Sequence, residues 1–120
     1  MNKIDQTNTI SVIDTEALNN RFQGRKDFIN RLLNLALNEN GTAPEQLETI
    51  IKQRDYDELR AFSHTMKGMA ANIMAHQLQN TAQNIEKKAR NQDEDVFTAA
   101  EDLKIELVKF LKELENLLQN

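Results

Sequence analysis

Residues 55–73 read DYDELRAFSHTMKGMAANI. At about 100° of rotation per residue, Leu59, Phe62, Met66, Ala70 and Ile73 fall on one stripe, with Met69 at its edge. This spacing predicts an amphipathic helix with one face in a core. His64 lies roughly 175° from the centre of that stripe, so it faces solvent in mid-helix. Gly68 and Ala71 follow on the same outer side at one-turn intervals, and Lys67 flanks them. A glycine in a helix interior costs about 1 kcal/mol relative to alanine. Gly68 has no cap or turn to justify it, and close approach by another surface accounts for it.

The segments on either side repeat the helical period. Asp14 is placed to cap a short helix reaching about Phe22, which Gly24 ends. Phe28, Ile29, Leu32, Leu33 and Ala36 define a second helix over 25–39, closed by Asn40 and Gly41. Thr42 and Glu45 have the spacing of a capping box, with Pro44 tolerated in the first turn of a helix reaching about Arg54. That helix offers Leu47, Ile50 and Ile51 to the core. Asp55 and Glu58 form a second cap-like pair. Beyond Met74, the 4-3-4 spacing of Leu78, Ala82, Ile85 and Ala89 marks another core seam. Asp93 is the expected cap of the last helix, whose stripe is Phe97, Ala100, Leu103, Leu107, Phe110, Leu114 and Leu117. The expected fold is all-α, an antiparallel four-helix bundle with one or two short additional helices. Residues 1–13 read as a flexible leader whose last apolar residues pack on the bundle, and 14–120 as one domain.

Composition agrees and removes several function classes. The chain of 120 residues suits one domain, and three glycines and a single proline leave little material for hairpins. With no cysteine there is neither a disulfide framework nor a thiolate ligand or nucleophile. His64 and His76 are the two histidines, and they do not form a His-x-x-x-His pair, so no metal site is expected. The net charge is −4, and the one basic cluster, KKAR at 87–90, reads as a solvated face rather than a nucleic-acid surface. No apolar run approaches the ~20 residues that span a bilayer, and no signal-peptide pattern is present. The expectation is a cytoplasmic monomer without direct membrane contact.

The outward strip suggests its chemistry. Neutral imidazole is a good nucleophile near neutral pH. No serine, cysteine or aspartate is placed to complete an acyl-transfer triad. Phosphoryl transfer asks for less, namely an in-line nucleophile and positive charge near the equatorial oxygens. His64 can supply the first, and Lys67, one turn away, part of the second. Neither a Walker loop nor a kinase glycine-rich loop occurs, so the phosphoryl group must come from another protein.

With these residues the chain resembles the histidine-containing phosphotransfer (HPt) domains of bacterial multistep phosphorelays. Phe62, His64, Thr65, Lys67, Gly68, Ala70, Ala75 and Leu78 match the family's His-x-x-Lys-Gly pattern and its surroundings. Ile85 and Glu86 stand where the family often has Leu-Glu. The run DTEALNNRFQGRKDFINRLL looks like the entry to such domains at the end of hybrid sensor histidine kinases. The resemblance covers about 14–118. It implies that His64 is phosphorylated, typically on Nε2, by a receiver-domain aspartate, and passes the group to another receiver. Lys67 would stabilise the phosphoryl oxygens, and Gly68 would leave room for the partner. Thr65, Ala71 and Glu86 would belong to the docking surface. The domain itself would hold no cofactor, the receiver would hold Mg²⁺, and the chain would be a phosphotransfer intermediate without autonomous kinase activity. Its location would be the cytoplasm, either free or as the tail of an inner-membrane kinase. One departure stands out: Met74 occupies the place of a usual glycine.

Two other function classes compete. A helical adaptor could bind a receiver or kinase through the same strip without phosphorylation, but it has no need of the His64–Lys67 pair. A bundle with no role for the strip leaves Gly68 unexplained.

Overall fold

The computed structural model describes residues 12–119, which form six helices and no strand. They are α1 (Thr15–Arg21), α2 (Lys26–Asn40), α3 (Ala43–Gln53), α4 (Tyr56–Ile73), α5 (His76–Arg90) and α6 (Val96–Gln119). The sequence period reappears as burial. Leu59, Met66, Ala70 and Ile73 of α4 are buried, as are Leu78, Ala82, Ile85 and Ala89 of α5. In α6 the stripe from Phe97 through Ala100, Leu103, Leu107 and Phe110 to Leu114 is buried, and Leu117 packs at its edge. Helix α6 packs against α2, α3 and α5, while α4 and α5 form the most extensive helix pair. Burying a leucine such as Leu103 or Leu107 contributes about 1.5–3 kcal/mol, so α6 organises one continuous core.

The α4–α5 hairpin turns on two residues. Met74 adopts the left-handed conformation (φ 64°, ψ 37°) in which glycine is usual. Its N–H reaches the Ala71 carbonyl at 3.3 Å, and the Ala75 N–H reaches the Ala70 carbonyl at 2.9 Å. These two bonds are a Schellman motif and satisfy carbonyls that the helix end would otherwise leave open. The Met74 side chain packs on the core, so it makes the turn that glycine would make and adds apolar contact.

The N-terminal segment is stitched to this turn and to α6. The N–H groups of Val12 and Ile13 donate to the Glu113 carboxylate at 3.4 and 3.2 Å. The Asp14 N–H donates to the Met74 carbonyl at 2.9 Å, and the Ile13 side chain is buried. Most of the expected leader, residues 1–11, lies outside the described residues. Asp14 caps α1 by accepting from the Ala17 N–H at 3.0 Å.

Three local expectations are corrected. Thr42 makes no capping bond to the backbone; it sits at φ −107°, ψ 11° rather than in the extended conformation a capping box requires. Its hydroxyl instead accepts from the Gln46 amide at 3.0 Å. The expected close at Asn40 and Gly41 holds: α2 ends at Asn40 and Gly41 caps it in a right-handed conformation (φ −59°, ψ −28°), α3 beginning almost at once. Phe28 is 40% exposed; it leaves the core face to meet Phe22, the ring centroids being 5.0 Å apart. Helix α6 takes its first helical bond at Asp95, from the Ala99 N–H, and the Asp93 carbonyl accepts from the Val96 N–H. The Asp55 cap holds, accepting from the Glu58 N–H at 3.0 Å.

Candidate functional site

His64 stands on the outer face of α4 with 68% of its side chain exposed, as its position on the helix requires. The hairpin brings Glu86 of α5 beside it, because the two residues are nearly equidistant from the Met74–Ala75 turn. Glu86 is the buried centre of the cluster, its side chain only 8% exposed. Its Oε2 lies 2.9 Å from His64 Nδ1, and its Oε1 accepts from Lys67 Nζ at 2.8 Å. Arg90, one turn along α5, approaches Oε2 at 3.4 Å.

Electrostatics fixes the protonation of this group. The hydrogen bond from Lys67 is the chief influence holding the Glu86 carboxyl below the usual carboxylate range. Burial opposes it, and His64 adds to the lowering. An ionised carboxylate only accepts hydrogen bonds, so the bond from His64 must be Nδ1–H donating to Oε2. In the neutral imidazole the free lone pair is then that of Nε2, on an exposed ring whose orientation is held from behind. A ring nitrogen oriented by a buried carboxylate is the arrangement that nucleophilic catalysis uses.

The small residues clear space around the ring. Gly68 is exposed, and a Cβ built on it meets nothing within 4 Å. Nothing within the protein therefore demands a glycine there. Ala71 lies half-exposed a further turn along, and Thr65 is exposed beside His64. Thr65 also lines a groove of about 620 Å³ between α2, α3 and α4, with Ile50, Phe62 and Met66 among its walls. His76 sits apart from this cluster, its Nε2 3.3 Å from Asp14 Oδ2 at the cap of α1.

The sequence-predicted residues thus gather on the α4–α5 face, with two changes of emphasis. Glu86, expected to serve docking, is the common partner of His64 and Lys67. Arg90, read as part of a solvated basic run, reaches the same carboxylate. Its i,i+4 spacing from Glu86 was the available signal, but the burial of Glu86 that makes the spacing matter comes only from the hairpin. Lys88 of the same run fits the solvated reading, pairing with Asp95 at 3.3 Å.

Among the described residues, no helix is long and apolar enough to cross a membrane. Neither a curated protein nor a solved structure matches the chain. The family model described as Hpt domain matches residues 31–120, from α2 onward. That span is well over half of the 120 residues and contains His64, Lys67, Gly68, Glu86 and Arg90. The chain therefore belongs to the Hpt domain family, whose members act with receiver domains in the phosphotransfer of two-component phosphorelays.

Proposed function

We propose that His64 is the phosphoacceptor of a multistep phosphorelay, receiving a phosphoryl group from a receiver aspartate and passing it to a second receiver. The observation that carries this reading is the His64–Glu86 hydrogen bond of 2.9 Å, which leaves Nε2 free on the exposed side of the ring. In the forward step the Nε2 lone pair forms the N–P bond as the P–O bond of the aspartyl phosphate breaks, and the aspartate leaves as a carboxylate. Nδ1 keeps its proton, so the phosphorylated ring gains positive character, which the Glu86 carboxylate offsets. Lys67 turns its ammonium to the phosphoryl oxygens, where charge develops in a loose transition state. Transfer to the next receiver reverses these events. Mg²⁺ belongs to the receiver, and the domain has no kinase activity of its own.

Gly68, with Thr65 and Ala71 beside it, gives the receiver room to bring its aspartate in line with Nε2. The supporting frame is an antiparallel four-helix bundle of α2, α4, α5 and α6, with α1 and α3 as the short additional helices. The chain works as a monomer in the cytoplasm, in the setting of a hybrid sensor histidine kinase. Incubation with a panel of phosphorylated receivers tests the assignment. The expected label is acid-labile, alkali-stable and lost in His64→Gln; label retained in that variant would move the site elsewhere. Receiver binding with no label on the wild-type chain would favour a non-phosphorylated adaptor.

A further inference from the structure

The carboxylate of Glu86 is engaged by more groups than holding an imidazole requires. His64 and Lys67 face it from α4 at 2.9 and 2.8 Å, and Arg90 faces it from its own helix at 3.4 Å. The third contact is long and the Arg90 side chain is 57% exposed, so in this state it is the weakest of the set. Lys67, by contrast, is fully committed to Oε1.

That commitment conflicts with the role given to Lys67 above, on which the present inference rests. A phosphoryl group on Nε2 projects from the side of the ring opposite Nδ1, and so away from Glu86. Turning its ammonium toward the phosphoryl oxygens draws Lys67 away from Oε1 and weakens the 2.8 Å contact. A buried carboxylate with less cationic support takes up a proton more readily. A protonated Glu86 would no longer be the full acceptor that fixes Nδ1–H and offsets the charge of the phosphorylated ring.

Arg90 is placed to prevent this. It follows Glu86 at i,i+4, the favourable order for an acid and a base on one helix. Its planar fork offers several N–H groups and can close from one long contact to a paired one by side-chain rotation alone. We propose that Arg90 is a positioning residue for phosphoryl transfer, holding the Glu86 carboxylate while Lys67 turns from it to the phosphoryl group. The second cation on the carboxylate then compensates for the contact that Lys67 weakens during each transfer.

The test compares wild type, Arg90→Gln and Arg90→Lys in transfer from a phosphorylated receiver, across receiver concentration and pH. Thermal melts run alongside. Arg90→Gln is expected to lower the rate at saturating receiver by about fivefold to tenfold, the size of one lost charge-assisted hydrogen bond. The acid limb of its pH profile moves to higher pH, because Glu86 is more easily protonated, while the half-saturating concentration stays put. Arg90→Lys restores most of the rate. The inference is overturned if Arg90→Gln matches wild type in rate and profile, or if the loss lies only in the half-saturating concentration, which would make Arg90 a docking residue. Failure of wild type itself to acquire label on His64 would overturn the functional reading as well, and that result is seen before any Arg90 variant is compared.

Discussion

Replacing Gly68 by alanine separates what the fold needs from what the partner needs. Gly68 lies inside the 18-residue helix α4, and a Cβ there meets nothing within 4 Å. Alanine therefore adds no clash and recovers the helix propensity that glycine forfeits, about 1 kcal/mol. At roughly 2.1 cal/mol/K of unfolding entropy per residue, a chain of 120 residues gains about 4 °C in Tm from this change. Gly68→Gln keeps roughly half of that gain, since glutamine is a good helix former. Both variants place new atoms one turn from His64, on the face proposed to meet the receiver. The expected pattern is opposite in sign for the two properties, with higher stability and slower transfer, and Gly68→Gln slower than Gly68→Ala. Urea titration gives the first quantity, and single-turnover transfer from a phosphorylated receiver the second. A fall in stability for Gly68→Ala would refute the packing argument. Undiminished transfer by Gly68→Gln would refute the claim that this glycine is kept for a partner.

Three further outcomes follow from the same geometry. Lys67→Ala should slow transfer by at least tenfold, the scale of a lost electrostatic contact in the transition state, while the domain still unfolds cooperatively; unchanged transfer would remove Lys67 from the mechanism. Met74→Ala should destabilise more than Met74→Gly by about 1 kcal/mol, because both lose the apolar side chain and only glycine relieves the left-handed backbone; equal denaturation midpoints would mean that the turn carries no strain. Glu106 has one buried carboxylate oxygen with no partner, and burial pushes its carboxyl above the usual range. An acid raised by folding is destabilising once ionised, so Glu106→Gln should stabilise by about 1 kcal/mol at pH 8. That gain should vanish at pH 4, where the wild-type carboxyl is already protonated, and a gain independent of pH would contradict the burial argument.

The parts of the molecule that were legible in sequence are those governed by helical period. The seam Leu78, Ala82, Ile85 and Ala89 and the long stripe of α6 are buried as spaced, because one amphipathic face decides each. His64 and Gly68 were legible for the converse reason, standing opposite such a face. Details set by three-dimensional neighbours were not. Phe28 satisfies the period of α2 yet turns to Phe22, a residue in the preceding turn that no helical wheel includes. Ser63 is fully buried, with its hydroxyl unpartnered, although a polar residue beside the stripe gives no sign of this. The cap at Thr42 failed because the backbone between α2 and α3 stays nearly helical, which residue types alone do not encode. Glu86 and Arg90 belong to the same class. Their meaning depends on the hairpin register that sets Glu86 behind the imidazole and buries it.

The central claim is that Nε2 of His64 accepts the phosphoryl group while Nδ1 keeps its proton on Glu86. Nitrogen-15 NMR of the imidazole, before and after incubation with a phosphorylated receiver, tests it most directly. The account predicts a phosphorus coupling at Nε2 of His64 and a protonated Nδ1 in both states. A phosphoryl group on Nδ1, or on any residue other than His64, would contradict it.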